Sequence, residues 1–149
     1  MSTPAAVVRV RILTSAVATR ADLLGPDGKR VWHLNAPQNT PRPYLVYGIV
    51  GGAPVHHLLG AGGLWQGRVL VECYCDKASQ MEEIGEALRL TCDAYRGTVA
   101  VGTDSYDVRR LHIVNESEGV IYPDPAKPLA VFMFSKELEL DVFQSIPSY

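Results

Sequence analysis

Hydrophobic and polar positions follow two different periods along this chain, and the switches between them mark out its elements. Arg68 to Asp76 alternates most cleanly: Val69, Val71, Cys73 and Cys75 fall on one face of a strand, and Leu70, Glu72 and Tyr74 on the other. Leu129 to Phe143 is a second, longer strand with Ala130, Phe132, Phe134, Leu138, Leu140 and Val142 on one face. Lys136 is the exception on that face; Glu137, Glu139 and Asp141 lie opposite, so this end of the strand has one wet side. Tyr44 to Val50, rich in aromatic and β-branched residues, reads as a third strand. Shorter candidates are Lys29 to Leu34, Thr98 to Val101, and Val108 to Asn115 with a continuation toward Tyr122. After Asp76 the period becomes helical. Met81, Ile84, Leu88, Cys92 and Tyr95 form one apolar stripe. Ser79-Gln80-Met81-Glu82 fits a capping box, Asp76 is the other candidate cap, and Gly97 is the expected left-handed stop. Residues 5–19 fit two patterns. Val8, Val10 and Ile12 alternate with Arg9 and Arg11, while Ala5, Val8, Ile12, Ala16 and Ala18 form a helical stripe. Pro4, suited to a first helical turn, favours the helix.

Turn chemistry separates these elements. Leu24 to Gly28 and Gly102-Thr103-Asp104 read as turns, Asn115 to Gly119 as a solvated turn, and Pro123 to Pro128 as a loop. Three prolines in Asn35 to Pro43 predict an extended surface segment. The strands are joined by turns, without regular βα alternation. The expected class is therefore α+β: an antiparallel sheet with an N-terminal helix and one central helix packed on one face.

Between Val50 and Arg68 sit six glycines, one proline, the pair His56-His57 and an apolar Leu58-Leu59…Leu64-Trp65 cluster. Adjacent histidines on a strand point to opposite faces and do not simply share an ion. Cys73 and Cys75 share a face, but one Cys-x-Cys with no second pair lacks the spacing of a structural zinc site. Gly60-Ala61-Gly62-Gly63 is followed by neither Lys-Ser/Thr nor a helix, so it is no phosphate cradle. The remaining reading is a long projecting hairpin turning at Gly60 to Gly63, its first arm bulged or kinked at Gly51, Gly52 and Pro54. Its tip carries Leu58, Leu59, Leu64 and Trp65, residues suited to docking on a neighbouring subunit or partner. The competing arrangement folds that tip back on its own domain.

Composition narrows the function. A length of 149 residues suits one domain with a real core, and 47% hydrophobic with 20% charged residues is ordinary for a soluble globular chain. No apolar run reaches the roughly 18 residues that span a bilayer. The start has no basic region ahead of an apolar run, so no secretory signal is expected. Cys73, Cys75 and Cys92, an odd set, are expected as reduced thiols in a cytoplasm. The formal net charge of −2 disfavours a phosphate-gripping surface. No serine sits in a nucleophile elbow, and His112 reads as a half-buried strand histidine. Glu116 and Glu118 are the one candidate carboxylate pair, set in what reads as a turn. No nucleophile–base–orienter set emerges, so neither an enzyme nor a cofactor or metal is expected.

The order of short motifs resembles the tail-completion, or tail-terminator, family of long-tailed bacteriophages and gene transfer agents. Ala36-Pro37-Gln38 and Pro43-Tyr44-Leu45-Val46-Tyr47 match the family's Ala-Pro-Gln-like stretch and Pro-Tyr strand. His57-Leu58-Leu59-Gly60 with Gly63-Leu64, Arg68-Val69-Leu70-Val71, Tyr95-Arg96-Gly97 and, loosely, Ile121-Tyr122-Pro123-Asp124 follow in family order. The resemblance covers most of residues 1–142, read as one domain; residues 28–35 and the tail 143–149 depart from the pattern. It implies a structural virion protein assembled in the host bacterial cytoplasm. Such a subunit forms a homo-oligomeric, usually hexameric ring at the head–tail junction. The ring caps the tail tube, stops its polymerisation and meets the head-side connector, while DNA passes through the lumen unread. Leu58, Leu59, Leu64, Trp65, Phe143, Ile146 and Tyr149 are the expected interface residues. A head-side neck or head-completion protein is the alternative, and a small metal-dependent hydrolase using His56, His57 or the cysteines a more distant one.

Overall fold

The computed structural model describes residues 4–15, 23–25, 30–57, 60–122, 126 and 129–144, with the backbone alone at 53–57, 60–63 and 144. The elements run α1 (Ala5–Leu13), β1 (Val31–His33), β2 (Tyr44–His57), β3 (Gly60–Cys75), α2 (Ala78–Cys92), β4 (Gly97–Val101), β5 (Asp104–Ile121) and β6 (Val131–Gln144). The strands form one sheet in the order β1-β2-β3-β6-β5-β4. The fold is α+β. The sheet is mixed rather than wholly antiparallel, because β1 runs parallel to β2, pairing Val31 with Leu45 and His33 with Tyr47. The three prolines of Asn35 to Pro43 keep that connection from closing as a tight turn, so the chain is carried back before β2 begins.

Both helices pack over the same side of the sheet. Ala5, Val7, Val8 and Ile12 of α1 and Met81, Ile84, Leu88 and Cys92 of α2 meet Val69, Val71, Cys73, Leu138 and Leu140 in one core. Helix α1 touches β2 near one end of the sheet and β4 at the other. The sheet must therefore curl around the helices, as the right-handed twist of paired strands encourages. Arg11 fastens the two helices. Its guanidinium donates to the carbonyl of Thr91 at 3.0 and 2.8 Å and lies 3.6 Å from the centre of the Tyr95 ring. A cation thus meets one of the unpaired carbonyls at the negative end of α2.

The ends of α2 differ from expectation. Lys77 occupies the N-cap position and no side chain caps the helix. The strand β3 runs almost directly into α2, so Ser79 already lies inside the first turn, and Asp76 accepts from Arg42 at 2.7 Å instead. The helix stops at Cys92, with Ala94 at φ +58, before Gly97 is reached. Asp93 accepts the Ile113 amide at 3.0 Å and the Tyr95 amide donates to Leu111 at 3.2 Å, so the chain is drawn onto β5. Tyr95 consequently leaves the helical stripe.

Strand lengths were the other departure. Asn115 to Gly119 is strand, not turn, because each residue finds a partner on β6: Lys136 pairs with Glu116, and the Ser117 and Ser135 hydroxyls meet at 2.6 Å. Gly60 to Gly63 belong to β3. His57 pairs with Gly60 and His56 with Ala61, so the expected turn residues are part of the strand pairing instead. The register shifts between Ile49 and Gly51 and between Pro54 and His56, where Gly51, Gly52 and Pro54 predict a break.

Candidate interaction surface

The residues expected at a subunit interface fall into two groups. Leu64, Trp65 and Phe143 come together where β3 and β6 meet, with Leu64 opposite Phe143 and Trp65 opposite Val142. Val142 is buried and Trp65 packs against the core, so Leu64 and Phe143 occupy the opposite, helix-free face. The Arg109 guanidinium lies 5.5 Å from the centre of the Phe143 ring. Leu58, Leu59, Ile146 and Tyr149 lie outside the described residues. Trp65 has an intramolecular seat: its indole covers Gly52 and Gly67, where an added Cβ would fall 2.3 and 2.5 Å from ring carbons. Glycine is required at both positions for that close approach.

The helix-free face carries cross-strand charge pairs. Arg68 meets Glu137 at 3.1 Å, and Glu139 lies between Arg110 at 3.4 Å and His112 at 3.5 Å. His112 is half-buried, as its strand position predicts. These water-facing pairs are each worth about 0–1 kcal/mol; they keep the face polar. Tyr74 donates to Glu72 at 2.6 Å, and burial first, the Glu72 carboxylate second, push its phenol well above the usual range.

On the helix side, a groove of about 320 Å³ separates α2 from β5 and β6. Glu82, Glu86, Arg89, Glu116 and Lys136 line it. Lys136, the exception in the apolar pattern of β6, is only 12% exposed; its stem runs beside Phe134 and its ammonium reaches Glu116. Glu116 is thereby engaged. A hydrogen bond from Arg89 holds the Glu86 carboxyl below the usual carboxylate range. A shallower hollow of about 460 Å³ lies over the β2 bulge, floored by Gly51, Gly52 and Gly67 and walled by Arg68 and Glu137.

The cysteines sit inside. Cys73 and Cys75 have sulfurs 3.3 Å apart, and both are buried with Cys92. Burial pushes the Cys73 thiol up, helped by its neighbour Cys75, and pushes Cys92 to about 11. The Cys73 and Cys92 thiols are held protonated, in the form that is poor at binding metal or attacking a substrate. Among the described residues no group of three or more His, Cys, Asp or Glu side chains is placed to hold a metal ion.

The sheet has two open stretches of edge that pattern reading missed. Strand β1 covers β2 only from Leu45 to Tyr47. Strand β4 covers β5 only from Asp104 to Val108, and the α2–β4 connection holds Leu111 and Ile113. Among the described residues, β2 beyond Gly48 and β5 from Val114 to Ile121 have no neighbour on their outer sides. The sequence from Val114 to Ile121 carries no apolar alternation that would have revealed the β5 stretch, and the register shift between Ile113 and Asn115 breaks the period there.

No protein-family model and no curated protein matches the chain. Among solved structures, a chain from the virion of a native gene transfer agent particle has the same fold, with a TM-score of 0.65 and 11% sequence identity. The likeness covers 94% of this chain and 93% of that one.

Proposed function

We propose that this protein is a structural subunit of a tailed particle, a bacteriophage or a gene transfer agent. Within it, the subunit is read as a tail terminator whose ring, usually of six copies, caps the tail tube and receives the head-side connector. The observation that carries the reading is the near end-to-end fold likeness to a chain of a gene transfer agent virion. The motif order from Ala36-Pro37-Gln38 to Tyr95-Arg96-Gly97 supports the tail-terminator assignment within that particle. A non-catalytic role agrees with buried, protonated thiols and with a Glu116 already engaged by Lys136. DNA would pass through the lumen without sequence readout, in keeping with a net charge of −2.

Co-assembly with the cognate tail-tube protein tests this reading. Native mass spectrometry is expected to show a closed oligomer, and electron microscopy to show tubes that stop at a fixed length. A protein that stays monomeric and leaves tube length unrestricted would sink it. Labelling the protein in isolated tails and in tail-less heads separates a terminator from a head-side neck protein: the label belongs on the tails. Stoichiometric zinc in the purified protein would instead favour a metal-dependent enzyme.

A further inference from the structure

Leu90 and Leu129 apart, the exposed large apolar residues among those described gather along two strand edges. Leu34, Ile49 and Val50 sit along the open stretch of β2. Val114, Val120 and Ile121 sit along the open stretch of β5, with Tyr122 just beyond. Leu34 is 68% exposed, in a left-handed conformation at φ +68, with its side chain lying over Gly48. Val50 is 54% and Val120 48% exposed. Scattered apolar residues are normal on a surface, but concentration along two unpaired strand edges is a liability that soluble monomers avoid with lysine, proline or cover. The stretch Val114 to Ile121 has neither lysine nor proline.

We infer that the open edge of β5 pairs with the open edge of β2 on a second copy of this chain, so that the sheet continues from one subunit to the next. The inference rests on the ring reading above and names the surfaces that close it. Four observations select a second copy as the occupant. The two edges lie toward opposite ends of one sheet, so they form a heterologous contact, the kind that closes a ring. The β5 edge offers the eight residues from Val114 to Ile121, roughly 26 Å at the strand rise, and the β2 edge runs from Ile49 to His57 with shifts at Ile49/Gly51 and Pro54/His56. Both are flanked by apolar side chains that the contact would cover. Their charges are compatible: β5 brings exposed Glu118, with Glu116 already paired to Lys136, whereas the sequence from Gly48 to His57 has no acidic residue and ends in two histidines. Orientation follows from topology. The β2–β3, β3–β6 and β6–β5 pairings are all antiparallel, so β5 points against β2. Within one copy the register puts Asn115 level with Gly48, so copies aligned in the same sense and offset along the strands meet as an antiparallel pair, each adding a strand to its neighbour.

Two variants of the full chain test this. V114K/V120K charges the β5 edge, and L34K/V50K charges the β2 edge. Native mass spectrometry of each variant alone should show monomer at concentrations where the wild type is assembled. An equimolar mixture should give a heterodimer that grows no further, because each variant keeps one intact edge. Self-dimerisation of either variant would overturn the heterologous pairing, as would normal assembly of both; the latter would leave the ring reading standing with its interface elsewhere. A wild type that stays monomeric, even with the tube protein, would remove both. Should a variant fail to fold by circular dichroism, hydrogen exchange on wild type decides. Amides of 114–121 and 48–52 should gain at least tenfold protection on assembly, and no gain would overturn the pairing.

Discussion

Replacing Gly67 with alanine probes the most tightly packed point of the β2–β3 hairpin. A Cβ there would meet the Gly51 carbonyl oxygen at 2.4 Å, a Trp65 ring carbon at 2.5 Å and the Gly52 Cα at 2.6 Å. Two of these three are backbone atoms and cannot rotate away, so the strand pair must part. Overpacking of this kind costs about 1–3 kcal/mol, offset by the roughly 0.4–1 kcal/mol that alanine gains by restricting the unfolded chain. The expected net loss is about 1–2 kcal/mol. Gly52 differs, since the nearest obstacles to its Cβ are ring atoms of Trp65, the closest at 2.3 Å. Gly51 differs again, with nothing within 4 Å. Urea unfolding followed by circular dichroism should therefore rank Gly51→Ala as neutral or slightly stabilised, with Gly52→Ala and Gly67→Ala both destabilised at unchanged m. In a Trp65→Ala background, Gly52→Ala should become neutral while Gly67→Ala still costs, because only the indole has gone. If Gly52→Ala were as harmless as Gly51→Ala, the indole would not lie on this floor, and Trp65 would be free to anchor another subunit; a harmless Gly67→Ala would mean that the two strands do not approach this closely.

Two further predictions concern the core. Leu88 is 2% exposed under α2, so Leu88→Ala should cost about 2–5 kcal/mol, read as a lower urea midpoint; a negligible change would mean that α2 is not packed as described. Cys92 titrates near 11 in the fold against an ordinary thiol value of 9.0, so its contribution is complete below pH 9 and is lost as pH rises to about 11. At roughly 1.4 kcal/mol per pH unit this amounts to about 2–3 kcal/mol. Cys92→Ala should flatten the fall in stability across that window, and an unchanged slope would show that burial does not hold the proton.

Much of the fold was legible because burial imposes strict periods. The faces of β3 and β6 and the stripe of α2 could be read directly, since one side of each element meets the core and the other does not. Helix α1 was readable once Pro4 tipped an ambiguous pattern. What failed were boundaries set by partners distant in sequence. The Asp93–Ile113 and Tyr95–Leu111 bonds end α2 early, and Arg42 takes the carboxylate expected to cap it. Asn115 to Gly119 has the composition of a turn, and only its pairing with β6 makes it strand. Leu64 and Phe143 pair across β3 and β6, and how much strand edge stays open depends on how far β1 and β4 extend, which no local pattern encodes.

The position of β6 bears on how the polypeptide matures. Among the described residues it is the last strand in chain order, yet it sits between β3 and β5, joining a hairpin formed by β2 and β3 to one formed by β4 and β5. A nascent chain that has not yet delivered Val131 to Gln144 holds two separate ribbons and no complete scaffold. Residues 131–144 must therefore be made before either ribbon gains its shared neighbour, so fragments that stop short of them lack the framework of the sheet.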